Sequence, residues 1–308
     1  VNNTAIPKRL RIQSLQDVRT QMAQYDLHDL ADFFMLYESK NQGMEIPSLF
    51  ARMEYHLLVM QESIEKGLQK PNITKSGLIA GGASHLQQWL RSGQYLLNPV
   101  FTEVLMNTLA VSELNACMGR IVASPTAGSA GVLPGALLTI AKHHHIPKER
   151  VVRSLFVAGG FGEIISMNAS LSGASHGCQA ENGSASAITA AAILFALGQD
   201  LDCIESGAAF ALKNLLGLVC DPVAGLVEVP CVKRNVVASV NAIACAEMAL
   251  SGIRSVIPFD EVVKAMDLIG KDMPSSLKET SLGGLAMCPS ARKITQSSCP
   301  TKKDLMKE

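Results

Sequence analysis

The sequence predicts an all-α fold, a globular multi-helix domain whose Gly- and Pro-rich loops converge near its centre. Three observations carry that prediction. Apolar residues recur at helical spacing over most of the chain, no stretch has the clean period-2 alternation of a half-buried strand, and the intervening segments are short and rich in Gly, Ser and Pro.

Ser14-Leu-Gln-Asp17 reads as a capping box, a side-chain acceptor followed three residues on by a carboxylate, opening a helix that runs towards Tyr37. A second pattern follows Pro47, passes through Leu57, Leu58 and Ile64, and fades before Pro71. From Pro99 to Met118 the spacing of Val104, Leu105, Leu109 and Leu114 is helical, and the loop Ala123 to Gly131 stops it. Further helical patterns cover Leu133–His143, Lys148–Ala158, Ser184–Leu197, Asp202–Leu216, Asn235–Ser251 and Asp260–Ile269. After Cys288 the chain, with Lys293, Ser297, Lys302, Lys303 and Lys307, reads as polar and mobile. The expected organisation is a helical segment 1–70 packed on a main domain 71–295, with a flexible polar tail 296–308.

Charge sharpens this picture. The 308 residues include 27 basic and 27 acidic side chains, and the zero net charge removes the usual electrostatic argument for nucleic acid or an anionic membrane as partner. Residues 1–70 hold 17 charged side chains and the longer stretch 121–211 only ten, so the first reads as surface helices and the second as a buried centre. Aromatics are 5% of the chain, so aliphatic and small side chains must fill that centre. The longest uncharged run, Ile121 to Ala141, contains Pro125, Gly128, Gly131, Pro134 and Gly135, which would break a spanning helix. No apolar stretch follows Lys8-Arg9 before Asp17, so no secretory signal is expected and a cytoplasmic protein is.

Eight cysteines without any C-x-x-C pair argue against a disulfide framework, a zinc ribbon or a thioredoxin-type site. Cys117, Cys203 and Cys245 fall in helical patterns, where cysteine acts as a small hydrophobe. Cys178, Cys220 and Cys231 instead stand in Gly177-Cys-Gln-Ala-Glu-Asn-Gly183 and Cys220-Asp-Pro-Val-Ala-Gly-Leu-Val-Glu-Val-Pro-Cys231, beside Gly and Pro. Ligands held off regular structure take such places. Three thiolates without an obvious fourth suit a [4Fe–4S] cluster with one open iron, and soft sulfur ligands also suit zinc. An open iron is a Lewis acid for a substrate hydroxyl, which elimination of water requires. A third segment, Ser124-Pro-Thr-Ala-Gly-Ser-Ala-Gly131 before Leu133-Pro134-Gly135, has two readings: a loop whose backbone N–H groups and following helix hold a carboxylate or phosphate, or a tight interhelical turn.

Together these three segments, with Arg234-Asn235 and Gly283-Gly-Leu-Ala286, closely resemble the α chain of bacterial iron–sulfur-dependent L-serine dehydratases. The resemblance spans roughly residues 70 to 295 and begins at Lys75-Ser-Gly-Leu78. It implies that Cys178, Cys220 and Cys231 hold a [4Fe–4S] cluster, that the open iron activates the serine hydroxyl, and that an enamine becomes pyruvate and ammonia without pyridoxal phosphate. The loop residues Ser124, Thr126, Ala127, Gly128 and Ser129 would then bind the substrate carboxylate. Single-chain members carry a second domain with a Ser-Ser-Ser-His-Thr type segment that has no counterpart here, which implies a separate β subunit and a higher oligomer. Sister chemistries on the same open iron, a cysteine desulfidase or a hydroxy-acid dehydratase, remain alternatives, as does a non-catalytic iron–sulfur sensor.

Other residues keep two readings each. Lys75 is a candidate base or carboxylate contact and otherwise an exposed lysine; Glu181 orients the cysteine loop or a substrate ammonium, or caps the next helix. Glu228, Arg234 and Asn235 are candidates to orient the ligands from behind. His143, His144 and His145 fan about 100° apart on a helix and read as a solvated helix end. Ser175 and His176 are unusual for the family and receive no role. Cys288 reads as core or site lining, and Cys299 as an exposed thiol or a resting-state ligand of the open iron.

Overall fold

The computed structural model describes residues 7–298, and Cys299 lies outside them. Among the described residues 69% are helical and none lies in a strand; the β pairing there is confined to isolated bridges at Ile73–Ala80 and Cys220–Lys278. The fold is all-α, as the apolar spacing predicts. Its helices are α1 (Leu15–Gln24), α2 (Leu30–Gln42), α3 (Ile46–Gln69), α4 (Gly82–Arg91), α5 (Pro99–Ala116), α6 (Val132–His143), α7 (Lys148–Asn168), α8 (Gly173–His176), α9 (Ser184–Ala196), α10 (Leu201–Lys213), α11 (Cys231–Leu250), α12 (Phe259–Asp272) and α13 (Pro289–Ser298). Among the described residues no helix is long and apolar enough to cross a membrane.

Helix α9 is the axis of the fold. Every residue from Ser184 to Ala196 is buried, and α6, α7, α10 and α11 pack around it. A helix apolar on all sides has no solvent face to present, so it goes to the centre. The surrounding core is continuous across residue 70: Phe33, Phe34 and Leu57 belong to the same cluster of buried side chains as Phe161, Leu194 and Phe259.

Side-chain caps open α1, α2, α5 and α10. Ser14 Oγ accepts from Asp17 N at 3.0 Å, the cap the sequence predicts, while Asp17 Oδ2 reaches back one residue beyond the Ser14 N–H of a full capping box and accepts from Gln13 N at 2.8 Å. The first predicted helix is nevertheless two. Asp26 adopts φ 55°, and the Asp29 side chain accepts from Ala31 N at 2.8 Å to start α2, itself held 2.8 Å from Arg153 Nη2. Helix α7 runs on to Asn168, because Gly159 and Gly160 do not stop it: the edge of the Phe34 ring fills the place a Gly160 side chain would need.

Three helices are absent from the sequence reading, the single turn α8 and the longer α4 and α13. The polar face of α13 hides it among the lysines and serines that follow Cys288. Helix α4 has no local side-chain cap; its first N–H groups are taken by the fully buried Glu113 of α5, at 2.8 Å from Gly82 N and 3.2 Å from Ala83 N. Burial pushes the Glu113 carboxyl up, and the two N–H donors oppose that shift.

Where α3 crosses α5, a side chain at Gly67 would overlap the carbonyl of Ala110, a main-chain atom that cannot turn aside. Gly67→Ala is expected to destabilise the fold by about 1–3 kcal/mol, read as a lower denaturant midpoint at unchanged slope. Gly159→Ala, in helix α7 with nothing within 4 Å of the added methyl, is the neutral or stabilising control.

Candidate active site

The three singled-out cysteines are buried, with 1%, 2% and 5% exposure at Cys178, Cys220 and Cys231, and all three are free thiols. Two of them sit in helical rather than loop backbone. Cys178 leads into a π-helical turn, Gln179–Gly183, which runs directly into α9, and Cys231 is the first residue of α11, four residues earlier than the apolar spacing indicates. Cys220 alone is extended. Its N–H donates to Leu277 O at 2.8 Å and its carbonyl accepts from Glu279 N at 2.7 Å. The Ser124–Gly131 segment ends in a 3₁₀ turn, Ala127–Ser129, directly before α6. That turn contacts the π-helical turn and α11, so the N-terminal ends of α6, α9 and α11 meet in one place, each with the positive end of its dipole.

Polar side chains lock these segments to one another. Asn235, one turn into α11, accepts from Gly131 N at 3.1 Å and donates to Gly128 O at 2.7 Å and Cys231 O at 3.1 Å. A single amide thereby ties the Ser124–Gly131 loop to the Cys231 helix. Gln179, fully buried, accepts from Gly217 N at 2.8 Å and donates to Met266 O at 3.1 Å. Asn182 Nδ2 donates to Cys178 Sγ at 2.9 Å. Arg234 Nη2 stands 2.9 Å from Asp221 Oδ1 as an ion pair, while its Nη1 donates to Val219 O at 2.7 Å. The other Asp221 oxygen accepts from Leu285 N at 2.7 Å, which explains Gly283-Gly284: with φ 58° at Gly284, any side chain there would run into the Asp221 carboxylate. Gly177 has a similar reason, since φ is 74° and a Cβ would lie 2.6 Å from Met273 Sδ and 2.8 Å from Leu218 O.

The electrostatics follow from this crowding. Burial pushes all three thiols up, Cys231 to about 12, and the charges of Cys178 and Cys231 add to the rise at Cys220. Glu181 Oε1 accepts from Thr126 Oγ1 at 2.9 Å, and burial and then the Glu279 charge raise it against that hydrogen bond. Glu228 accepts from Thr74 Oγ1 at 2.8 Å and Ser76 Oγ at 2.5 Å, bringing the 72–80 loop to the approach to Cys231. Among the described residues the buried side-chain polar atoms without a hydrogen bond are Ser124 Oγ, Asn182 Oδ1, Ser184 Oγ and Asp221 Oδ1, the last held by its ion pair with Arg234 alone. All four lie on these segments or at the first residue of α9. Buried oxygens are normally paired, so their concentration here makes this a candidate site.

Comparison with known proteins shows the family. The serine dehydratase alpha chain family matches residues 16–286, a stretch that contains all three cysteines and the Ser124–Gly131 loop. The chain belongs to that family. It is 48% identical over 265 residues to the probable L-serine dehydratase, alpha chain, of Bacillus subtilis, covering 86% of this chain and 88% of that one. Against the L-serine dehydratase, alpha chain, of Peptoniphilus asaccharolyticus it is 36% identical over 277 residues, 90% and 92% of the two chains. L-serine dehydratase TdcG of Escherichia coli is 37% identical over 249 residues, which cover 79% of this chain but 54% of that protein.

Within this serine dehydratase alpha chain family member, the remaining candidates divide clearly. Thr126, Gly128 and Ser129 lie at the junction with Glu181 and Asn235, while Ala127 is exposed at the tip of the turn and its carbonyl accepts from Asn115 Nδ2 at 2.9 Å. Ser124 and Pro125 also wall an apolar cavity of about 290 Å³ shared with Met53, Met60, Leu155 and Ile188. Lys75 is exposed between the two hydroxyls that Glu228 holds. His176 is buried with Nδ1 2.9 Å from Ser175 Oγ and Nε2 3.0 Å from Asp267 Oδ1, fastening the Cys178 turn to α12. His143 pairs with Glu103 at 2.8 Å, and Cys203 and Cys245 pack in the core. Cys117 ends α5 half-buried and Cys288 is exposed. Sequence reasoning passes over Gln179 and Asp221, although each directly follows a singled-out cysteine.

Asn235→Ala would leave Gly131 N and Gly128 O without their partner inside the protein. A loss of about 2 kcal/mol is expected, measured as a fall in denaturant midpoint, with faster amide hydrogen exchange at Gly131.

Proposed function

We propose that this chain is the α chain of an L-serine dehydratase, which turns L-serine into pyruvate and ammonia on a [4Fe–4S] cluster held by Cys178, Cys220 and Cys231, with no part for pyridoxal phosphate. One observation carries the reading: three buried free thiols and a Ser/Gly loop meet at the N-terminal ends of three helices, among the buried oxygens that lack donors.

The donor set fits such a group. Thiolates are the ordinary ligands of iron–sulfur clusters, and the three helix dipoles favour the anionic form that burial otherwise disfavours. Each thiolate of a cluster binds its own iron, so the three need not close on a single ion; among the described residues no three His, Cys, Asp or Glu side chains do. When bound, the cluster supplies an iron without a protein ligand, a Lewis acid for the leaving hydroxyl.

The residues of this chain do the positioning. The first N–H groups of the Ala127–Ser129 turn have no acceptor inside the turn and, with the hydroxyls of Ser124, Thr126 and Ser129, would bind the substrate carboxylate; Gly128 lets the backbone come close. Asn235 fixes that loop relative to Cys231, and Arg234 with Asp221 fixes the Cys220 segment. Loss of the α proton to a base and of the β hydroxyl as water leaves an enamine, which tautomerises and takes up water to give pyruvate and ammonia. Lys75 is the candidate base on this chain, carried on the loop that Glu228 anchors, and a partner chain is the other source.

A separate β chain fits the relatives named alpha chains, 88% and 92% of which this chain covers, and a higher oligomer is part of the same proposal. The reaction belongs in the cytoplasm, where free thiols and a cluster stay reduced.

Protein purified without oxygen is expected to be brown, and Cys220→Ala to lose iron, visible absorbance and pyruvate formation together. Chelation of the iron should remove activity and reconstitution restore it; a colourless, fully active enzyme would overturn the proposal. Lys75→Ala should lower kcat at least about a hundredfold at unchanged iron content if Lys75 is the base. An unchanged kcat assigns that role to the partner chain.

A further inference from the structure

Glu181 is the carboxylate around which the site is arranged. Its Oε1 accepts from Thr126 Oγ1 at 2.9 Å. A Cβ on Gly128 would lie 2.9 Å from Oε1, and one on Gly173 would lie 2.9 Å from Oε2 and 3.2 Å from Cys220 Sγ. Two glycines on separate segments thus bring main chain against one carboxylate, and the second also touches the neighbourhood of a thiol. The Glu181 charge is felt at Cys178, Cys220 and Cys231 alike. Among the described residues no Lys, Arg or His lowers its pKa, and the charge acting on it, Glu279, is negative. Arg234, a cation of the cysteine segments, is committed to Asp221 and the Val219 carbonyl. Asn182, the next residue, is 1% exposed, and its Oδ1 is without a donor.

A half-buried carboxylate among thiols, with no counter-charge, is costly unless a cation reaches it. An α-amino acid carries its ammonium and carboxylate on one carbon, so its site needs an acceptor directly beside the N–H groups that take the carboxylate. Thr126 of the carboxylate-binding loop touches Glu181 in that way. We infer that Glu181 receives the substrate's α-ammonium group and so makes this site select amino acids over hydroxy acids that carry the same carboxylate and hydroxyl. The inference rests on the serine dehydratase reading above.

The probe is 3-hydroxypropionate, which is serine without its ammonium. With the iron-loaded α chain and its partner, E181Q keeps an acceptor for Thr126 but removes the charge. It is expected to raise KM for L-serine on the order of ten- to a hundredfold while the inhibition constant of 3-hydroxypropionate stays the same or falls. E181D, which keeps the charge but draws it back, should shift the same constant by less, and it decides the matter if E181Q takes up less iron than the wild type. Equal shifts in both constants, or a shift in neither, overturn the inference and leave Glu181 a purely structural residue, with serine turnover by the wild type still supporting the functional reading. A loaded wild type that forms no pyruvate from serine overturns that reading and this inference with it.

Discussion

Three thiols that burial makes reluctant to ionise must be held together by something other than themselves. Cys178 raises the cost of charge at Cys231, and Cys178 and Cys231 both add to the desolvation at Cys220. The three stand 42 and 11 residues apart, without a disulfide or a sheet to join them. The work falls to polar side chains one or two steps behind the sulfurs. Gln179 pins the Cys178 turn to the chain around Gly217 and to α12, the Arg234–Asp221 pair pins the Cys220 segment, and Asn235 pins Cys231 to the Ser124–Gly131 loop. Buried and mutually dependent, these contacts carry more consequence than their number implies, since removing one partner leaves the other unpaired in a low-dielectric interior.

The same geometry explains the composition. Helices α6, α9 and α11 bring their N-terminal ends to one place only if their axes run close, and close axes need small side chains. Helix α9 supplies Ala and Ser on all sides, with Ser186 Oγ donating to Ala238 O at 2.8 Å and receiving Asn241 Nδ2 at 2.8 Å. Thr108 Oγ1 lies 3.1 Å from Ser239 Oγ between α5 and α11, and Gly135 of α6 abuts Thr108. A chain with 5% aromatic residues, whose interior looks underfilled as a list, meets the requirement of closely packed helices.

The sequence made the long periodic helices readable because their apolar faces and local caps agree, as at Ser14, Asn98 and Asp200. It hid those features whose cause lies elsewhere in the chain. The break before α2 depends on Asp29 and Arg153, α4 on Glu113 of another helix, and the early start of α11 on a cysteine that apolar counting treats as loop. In the site, small residues and cysteines beside Gly and Pro were legible, and so were Glu181, Arg234 and Asn235 by adjacency. Gln179 and Asp221 were not, because an amide or carboxylate announces no partner in sequence; the signal available was their position next to a cysteine.

The three cysteines are not equivalent in backbone. Cys178 and Cys231 lie in helical conformation, stiffened by the helices they begin, whereas Cys220 is extended and held by two main-chain bonds to Leu277 and Glu279. Around it cluster non-glycine residues in the left-handed region: Ala224 at φ 57°, Glu279 at 64° and Ser281 at 56°. Such conformations persist only where surroundings fix them, and here Ser281 Oγ donates to Pro222 O at 2.7 Å while Asp221 receives Leu285 N. The segment 277–285 is therefore a clasp over Cys220, and Gly284 shapes it through Asp221 although it faces no sulfur. Two rigid helix starts set the frame, and the clasped strand-like segment brings in the third thiol.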